Sequence, residues 1–89
     1  MEVRVSLRDG RRVRGECIGI FNPVVVLYLV PIAFPNKKGN FRVKRFKRRL
    51  IKTLCHEAVH YFIKVWNIEV KSEYGEEELA NAFEKAVKI

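Results

Sequence analysis

"FRVKRFKRRLIKTLCHEAVHYFIKVW", residues 41–66, is the longest regular pattern in this chain of 89 residues. Apolar side chains recur in it at three- and four-residue steps, the period of one face of an α-helix. The members of this stripe are Val43, Phe46, Leu50, Ile51, Leu54, Cys55, Ala58, Phe62, Val65 and Trp66. We expect a helix that covers 47–66 and begins at 41 or 46. We expect Asn40 as its N-cap and Asn67, which tolerates a left-handed backbone, just beyond its end.

The residues before this helix predict a small sheet. Val3, Val5 and Leu7 alternate with polar residues, as in a half-buried strand. Asp9-Gly10 favours a two-residue hairpin, because Gly accepts a positive φ without strain. A return strand is therefore expected within 11–20. Its residues available for the core are Val13, Ile18 and Ile20.

A third strand is expected in "VVVLYLVPIAF", residues 24–34. This run is the longest apolar one, but it contains Pro31 and is much shorter than the roughly 20 residues of a membrane-spanning helix. We therefore interpret it as a buried strand. The three strands together predict a mostly antiparallel N-terminal sheet.

The C-terminal segment predicts a last helix that begins near Gly75. Three acids follow at 76–78, where the helix dipole favours negative charge. Its expected apolar face consists of Leu79, Ala82, Phe83 and Ala86. The fold class predicted is α+β, as one small domain over residues 1–89, with a sheet followed by two helices.

Charge and cysteine content restrict the class of protein. The net charge of +8 is uneven, since residues 1–52 hold 14 Lys and Arg against 3 acids and residues 53–89 hold 4 against 7. Cys17 and Cys55 are too few for a disulfide framework, so we expect free thiols and a reducing compartment. The N-terminus lacks the apolar core of a secretory signal, and we expect a cytoplasmic protein.

"HEAVH", residues 56–60, is the motif that carries chemistry. On a helix, residues four apart lie about 40° apart around the axis, so His56 and His60 project from one face and can share one ion. Neutral imidazoles bind Zn²⁺ while leaving it a strong Lewis acid, and Glu57 stands where it can take a proton from an activated water. The alternative is a pair of ordinary histidines at the margin of the core.

A catalytic zinc site needs a third protein ligand and one open position. The chain has no other histidine, and its single aspartate, Asp9, lies in the predicted hairpin turn. The third ligand is therefore expected to be a glutamate on the last helix.

"HEAVH" followed by "EELANAF", residues 77–83, resembles the gluzincin metallopeptidases, and the chain length is similar to that of the minigluzincins of thermophilic prokaryotes. The resemblance implies a zinc-dependent endopeptidase with Glu57 as general base and Glu77 as third ligand. It places Ala80 where the helices approach and Asn81 where a residue supports the first histidine. The family more often has Asp at that position, and Asn adds no negative charge.

The acids that flank Glu77 remain alternatives for the third ligand. A helical wheel places Glu77 nearly opposite the expected apolar face of the last helix, and it places Glu76 and Glu78 closer to that face. The resemblance also implies that an edge strand, expected at 24–30, holds the peptide substrate extended by main-chain hydrogen bonds.

"KKGNFRVKRFKRRLIK", residues 37–52, holds nine Lys or Arg with Phe41 and Phe46 between them. Such a cluster either contacts nucleic-acid phosphates or forms the solvated face of the predicted helix. Two rival functions therefore accompany the peptidase prediction. They are a zinc-binding domain without activity and a basic module associated with nucleic acid.

Overall fold

The computed structural model describes residues 1–8, 13–34, 41–69 and 73–87. Three strands and three helices lie within these ranges. The strands are β1 (Glu2–Ser6), β2 (Gly15–Ile18) and β3 (Val24–Tyr28), and the helices are α1 (Leu29–Ala33), α2 (Val43–Val65) and α3 (Glu73–Ala86). The predicted α+β fold, a small N-terminal sheet followed by helices, is confirmed.

Helix α2 is the long helix that the apolar period predicts. It begins later than an N-cap at Asn40 would allow, because Arg42 occupies the cap position with an extended backbone and makes no side-chain cap hydrogen bond. The predicted cap is therefore wrong, and Asn40 itself lies outside the described residues. The predicted end is confirmed. Asn67 has a φ of 50°, and the Ile68 N–H donates to the Ile63 carbonyl at 3.0 Å, which satisfies one of the last carbonyls.

The sheet has the order β1-β3-β2. Strand β3 pairs in parallel with β1 and antiparallel with β2, so the predicted hairpin between β1 and β2 is wrong. The Asp9-Gly10 turn lies outside the described residues. The physical reason for this order is burial. Strand β3 is apolar at every position but its last, and in the centre of the sheet it has β1 on one edge and β2 on the other.

The apolar run 24–34 is not one strand. Strand β3 ends at Tyr28 and α1 follows directly, with Pro31 in its first turn, where a helix needs no N–H donor. Pro31, Ile32 and Ala33 are buried. The carbonyls of Ile32 and Ala33 accept hydrogen bonds from the Arg49 guanidinium at 2.6 and 3.2 Å, which ties α1 to α2.

The core lies between one face of the sheet and α2. Val25, Leu27 and Ile32 form its buried centre, and the side chains packed against them are Cys17, Phe46, Leu50, Leu54 and Tyr61. Both cysteines are free thiols, as expected. Several residues predicted for the core are exposed instead: Val13, Ile18, Ile20, Val43, Ile51, Phe62, Val65 and Trp66. A three-stranded sheet covers a narrower arc of the helix than the apolar stripe occupies.

Helix α3 runs antiparallel to α2, since Cys55 contacts the Phe83 carbonyl while the later His60 contacts the earlier Glu76. Ala80 is fully buried where the helices meet. The predicted apolar face of α3 is not the buried one, because Leu79 and Phe83 are 40% and 52% exposed. Among the described residues, no helix has the length and apolar character needed to cross a membrane.

Candidate metal centre

Two imidazoles lie together where α2 meets α3. The Nε2 atoms of His56 and His60 are 3.4 Å apart, and the side chains are only 17% and 15% exposed. Their separation along the helix places both rings on one side of α2, at the edge of the face that packs against the sheet.

Glu77 of α3 closes the cluster from the opposite side. One carboxylate oxygen lies 2.8 Å from His56 Nε2 and the other lies 3.2 Å from His60 Nε2. The neighbouring Glu76 contacts the other nitrogen of His60, and Glu78 is exposed. The structure begins α3 at Glu73, two residues before the predicted start near Gly75, and of the three successive acids at 76–78 Glu77 is the one brought to both Nε2 atoms. The helical wheel no longer argues against Glu77, because Ala80 is fully buried while Leu79 and Phe83 are exposed, so the buried face of α3 is not the predicted apolar one.

The two imidazoles have the spacing of ligands in a tetrahedral zinc site, and Glu77 contacts both. Two ligands at the usual zinc–nitrogen distance of about 2.0–2.1 Å are about 3.4 Å apart in a tetrahedron. The two Nε2 atoms have this separation. Two imidazoles and one carboxylate also form a donor set typical of catalytic zinc, with one position left open. The residues present therefore suit the metal that the motif predicts.

Glu57 lies beside the same point. One ligand atom from each of His56, Glu57 and His60 lies within 4.8 Å of the others, so Glu57 is a second carboxylate within reach of an ion. The oxygens of Glu77 are in direct contact with both Nε2 atoms, which favours Glu77 as the ligand and leaves Glu57 beside it. Glu57 is buried, and this burial raises the pKa of its carboxyl, although the two histidines oppose the shift.

The second nitrogens of the imidazoles have different surroundings. His60 Nδ1 lies 2.7 Å from a Glu76 oxygen. A proton on Nδ1 donates to this carboxylate and leaves the lone pair of Nε2 directed at the cluster, the tautomer that a metal ligand requires. His56 Nδ1 is buried without a hydrogen-bond partner in the described part of the chain, and Glu84 Oε1 lies 3.8 Å away.

Asn81 does not support His56 as the resemblance implies. Its side chain is exposed, and His56 Nδ1 accepts or donates no hydrogen bond within the described ranges. The rotation of α3 gives the reason. A residue seven positions after Glu77 lies about 20° from it on the side of the buried Ala80, whereas one four positions later lies about 40° from it on the opposite side. Glu84 satisfies the first spacing, so a longer wheel of the last helix could have found it. Glu76 has no such signal, since three successive acids differ only by packing.

Strand β2 passes directly beside Glu57. A Cβ atom on Gly15 would lie 2.9 Å from Glu57 Cγ and 3.0 Å from Thr53 Cγ2, so only a glycine allows this approach without displacing a side chain. Two hollows flank the cluster. One of about 320 Å³ includes Gly15, His56 and Glu84 in its lining, and one of about 550 Å³ includes Cys17, His60 and Lys64.

Of the two edge strands of the sheet, β1 and β2, it is β2 that lies beside the cluster. The Tyr28 N–H donates to the Arg14 carbonyl at 2.9 Å, and in an antiparallel ladder the next outward-pointing backbone groups are those of Gly15 and Cys17. Lys64 Nζ donates to the Cys17 carbonyl at 2.8 Å, as this orientation requires. The edge strand predicted at 24–30 is wrong, because β3 is paired on both sides.

Comparison with known proteins identifies no relative: the chain matches no protein-family model, no curated protein and no solved structure.

Proposed function

We propose that this protein is a zinc-dependent peptidase whose metal is held by His56, His60 and Glu77. The observation that carries the proposal is the convergence of two imidazole nitrogens, 3.4 Å apart as two ligands of a tetrahedral ion are, with a carboxylate of α3 that contacts both of them. Bound zinc supplies a Lewis acid that polarises a carbonyl and lowers the pKa of water. The likeness of "HEAVH" and the glutamate helix to gluzincins supports the same function.

Glu57 is the proposed general base. It is buried beside the histidines but is not in contact with both Nε2 atoms as Glu77 is, so it can accept a proton without filling the ligand set. In this reaction Glu57 removes a proton from the attacking water and returns it to the leaving amine. Glu76 keeps the His60 ring in its ligand orientation and tautomer, and is a positioning residue.

The proposed partner is an extended peptide that adds to the open edge of β2. The backbone groups of Gly15 and the N–H of Cys17 point outward there, beside Glu57, while the Cys17 carbonyl is bound by Lys64 Nζ. Main-chain hydrogen bonds to this edge would hold the scissile bond next to the histidines. We propose a cytoplasmic location, which the unpaired state of Cys17 and Cys55 supports.

The test compares hydrolysis of an unfolded protein by the zinc-loaded wild type and by Glu57→Gln. We expect Glu57→Gln to bind zinc normally and to lose activity by about 10²–10⁴-fold, the usual contribution of a general base. Glu69→Gln, which removes the charge of an exposed glutamate outside the helices, is the matched control and should retain full activity.

Two outcomes contradict the proposal in different ways. Equal rates for wild type and Glu57→Gln would remove Glu57 from the reaction. A wild type that binds zinc stoichiometrically but hydrolyses no unfolded protein would support the rival function, a zinc-binding domain without peptidase activity.

A further inference from the structure

The first part of α2 concentrates positive charge. Residues 17–56 contain no Asp or Glu. The segment 42–52 has seven cationic residues: Arg42, Lys44, Arg45, Lys47, Arg48, Arg49 and Lys52. We call this segment the basic segment. Its positive charge contrasts with the two hollows beside the histidines, which carboxylates line: Glu57, Glu76, Glu77 and Glu84.

The charges of the basic segment are not neutralised within the described residues. The ion pairs found there join Arg4 to Glu2 and the two histidines to α3, and none includes a residue of the basic segment. Burial lowers the pKa of Arg49, and the nearby positive charges of Arg14 and Arg45 lower it further. These residues therefore repel one another in the isolated protein.

The helix itself adds to this positive field. Its first turn contains no acid, and Arg42 at the cap position makes no side-chain hydrogen bond to the first N–H groups. The positive end of the helix dipole thus coincides with Lys44 and Arg45. An anion bound here gains from both the side chains and the dipole, and relieves their repulsion.

Three of the cations form a surface that faces away from the rest of the fold. At 100° per residue, Lys44, Lys47 and Arg48 lie within about 100° of one another, and all three are exposed. Phe46 and Leu50 occupy the opposite side and pack against the core. Arg49 is excluded from this surface because it is bound to the carbonyls of α1.

We infer that the surface formed by Lys44, Lys47 and Arg48 binds the phosphate backbone of a nucleic-acid duplex. A duplex offers one negative charge per roughly 1.7 Å of its axis, which matches a row of unpaired cations along a helix. An anionic membrane is less suitable, because an interfacial helix buries an apolar face in the lipid and the apolar face of this segment is packed on the sheet.

A single strand is also less suitable. Single-strand binding relies on bases that stack on aromatic side chains. The aromatic rings of this region pack on each other instead, with centroids 5.9 Å apart for Phe34 and Phe41 and 5.5 Å apart for Phe41 and Phe46. The contact proposed is therefore to phosphates, without base recognition.

This surface is separate from the metal centre. Its centre lies about 150° around α2 from the two histidines, and Arg48 precedes His56 by eight residues, or about 12 Å along the axis. A duplex bound there leaves open the two hollows beside the histidines. Duplex binding therefore does not depend on the peptidase proposal.

The experiment measures binding of a fluorescent duplex DNA of about 20 base pairs by anisotropy while salt is raised from about 20 to 200 mM. For three phosphate contacts, at about 0.9 per contact, the wild type should show a slope of log K against log salt at least as steep as about −2.7. The triple variant Lys44→Gln, Lys47→Gln, Arg48→Gln should lose most of this slope. The circular dichroism spectrum and the urea unfolding midpoint of the variant, compared with those of the wild type, report that the fold is intact.

The matched control removes three exposed cations elsewhere, as Arg4→Gln, Arg8→Gln, Lys85→Gln. It should keep the steep slope, because it lowers the net charge by the same amount but leaves Lys44, Lys47 and Arg48 in place. The inference is overturned if the wild type does not bind the duplex at the lowest salt, or if both triple variants weaken binding equally. It is also overturned if the protein binds vesicles with anionic lipid and leaves the duplex free.

Discussion

The two halves of α2 share one helix but differ in what covers them. Residues 43–52 pack against the sheet and α1 and present their cations to solvent. Residues 53–65 lie between the sheet and α3, which contacts His56, His60 and Cys55. Helix α3 brings carboxylates to the histidines of α2 and brings none to the basic segment. The position of α3 therefore decides which half has carboxylates beside its histidines and which half has cations without an acidic partner among the described residues.

The largest expected effect comes from removing one imidazole. His60→Ala should lower zinc affinity by more than the 10- to 100-fold that loss of an outer hydrogen bond causes, because a ligand itself is lost. Arg45→Ala, in the basic segment of the same helix, is the control and should leave zinc affinity unchanged. Calorimetric titration with zinc measures both. If the two variants behaved alike, the distinction between the halves would fail.

The next effect tests the carboxylate that orients His60. Glu76→Gln should weaken zinc binding by about 10- to 100-fold, because an amide holds the Nδ1 proton less strongly than a carboxylate does. Asn81→Ala, on the same helix, should have no effect, since Asn81 is exposed. Zinc competition with a chromophoric chelator separates the variants. A loss with Asn81→Ala as large as that with Glu76→Gln would restore the role that the resemblance implied.

Part of the candidate site is predictable from the sequence and part is not. His56 and His60 lie four residues apart on one helix, so the rules of helix geometry alone place them on the same face. The choice among Glu76, Glu77 and Glu78 depends on how α3 is rotated, and only packing around Ala80 determines it. The order of strands was missed for the same reason. Pairing of β1 with β3 joins residues far apart in the chain, while the Asp9-Gly10 signal is purely local.

A smaller effect is expected where the sheet meets the second half of α2. Gly15→Ala would place a methyl group 2.9 Å from Glu57 Cγ and force the side chain or the strand to move. Overpacking of this kind costs about 1–3 kcal/mol of the free energy of unfolding. Urea denaturation measures it, with Val13→Ala, at an exposed position, as the control. An unchanged free energy for Gly15→Ala would show that the close approach is not needed.

The smallest effect is expected at the start of the basic segment. Arg42→Asp would supply the missing cap and place a negative charge at the positive end of the helix dipole. The free energy of unfolding should rise by about 1 kcal/mol. Arg42→Gln removes the charge without supplying a strong cap, and should raise it less. Denaturation curves of the two variants separate capping from simple charge removal, and a destabilised Arg42→Asp would contradict the repulsion described above.

The most direct test of the metal centre is X-ray absorption at the zinc edge, on wild type and on Glu77→Ala loaded with one equivalent of zinc. We expect two histidine nitrogens at about 2.0–2.1 Å and one carboxylate oxygen in the wild type, and loss of the carboxylate oxygen in Glu77→Ala. A wild type that retains no zinc, or a spectrum unchanged by Glu77→Ala, would contradict the claim that α2 and α3 together form the metal centre.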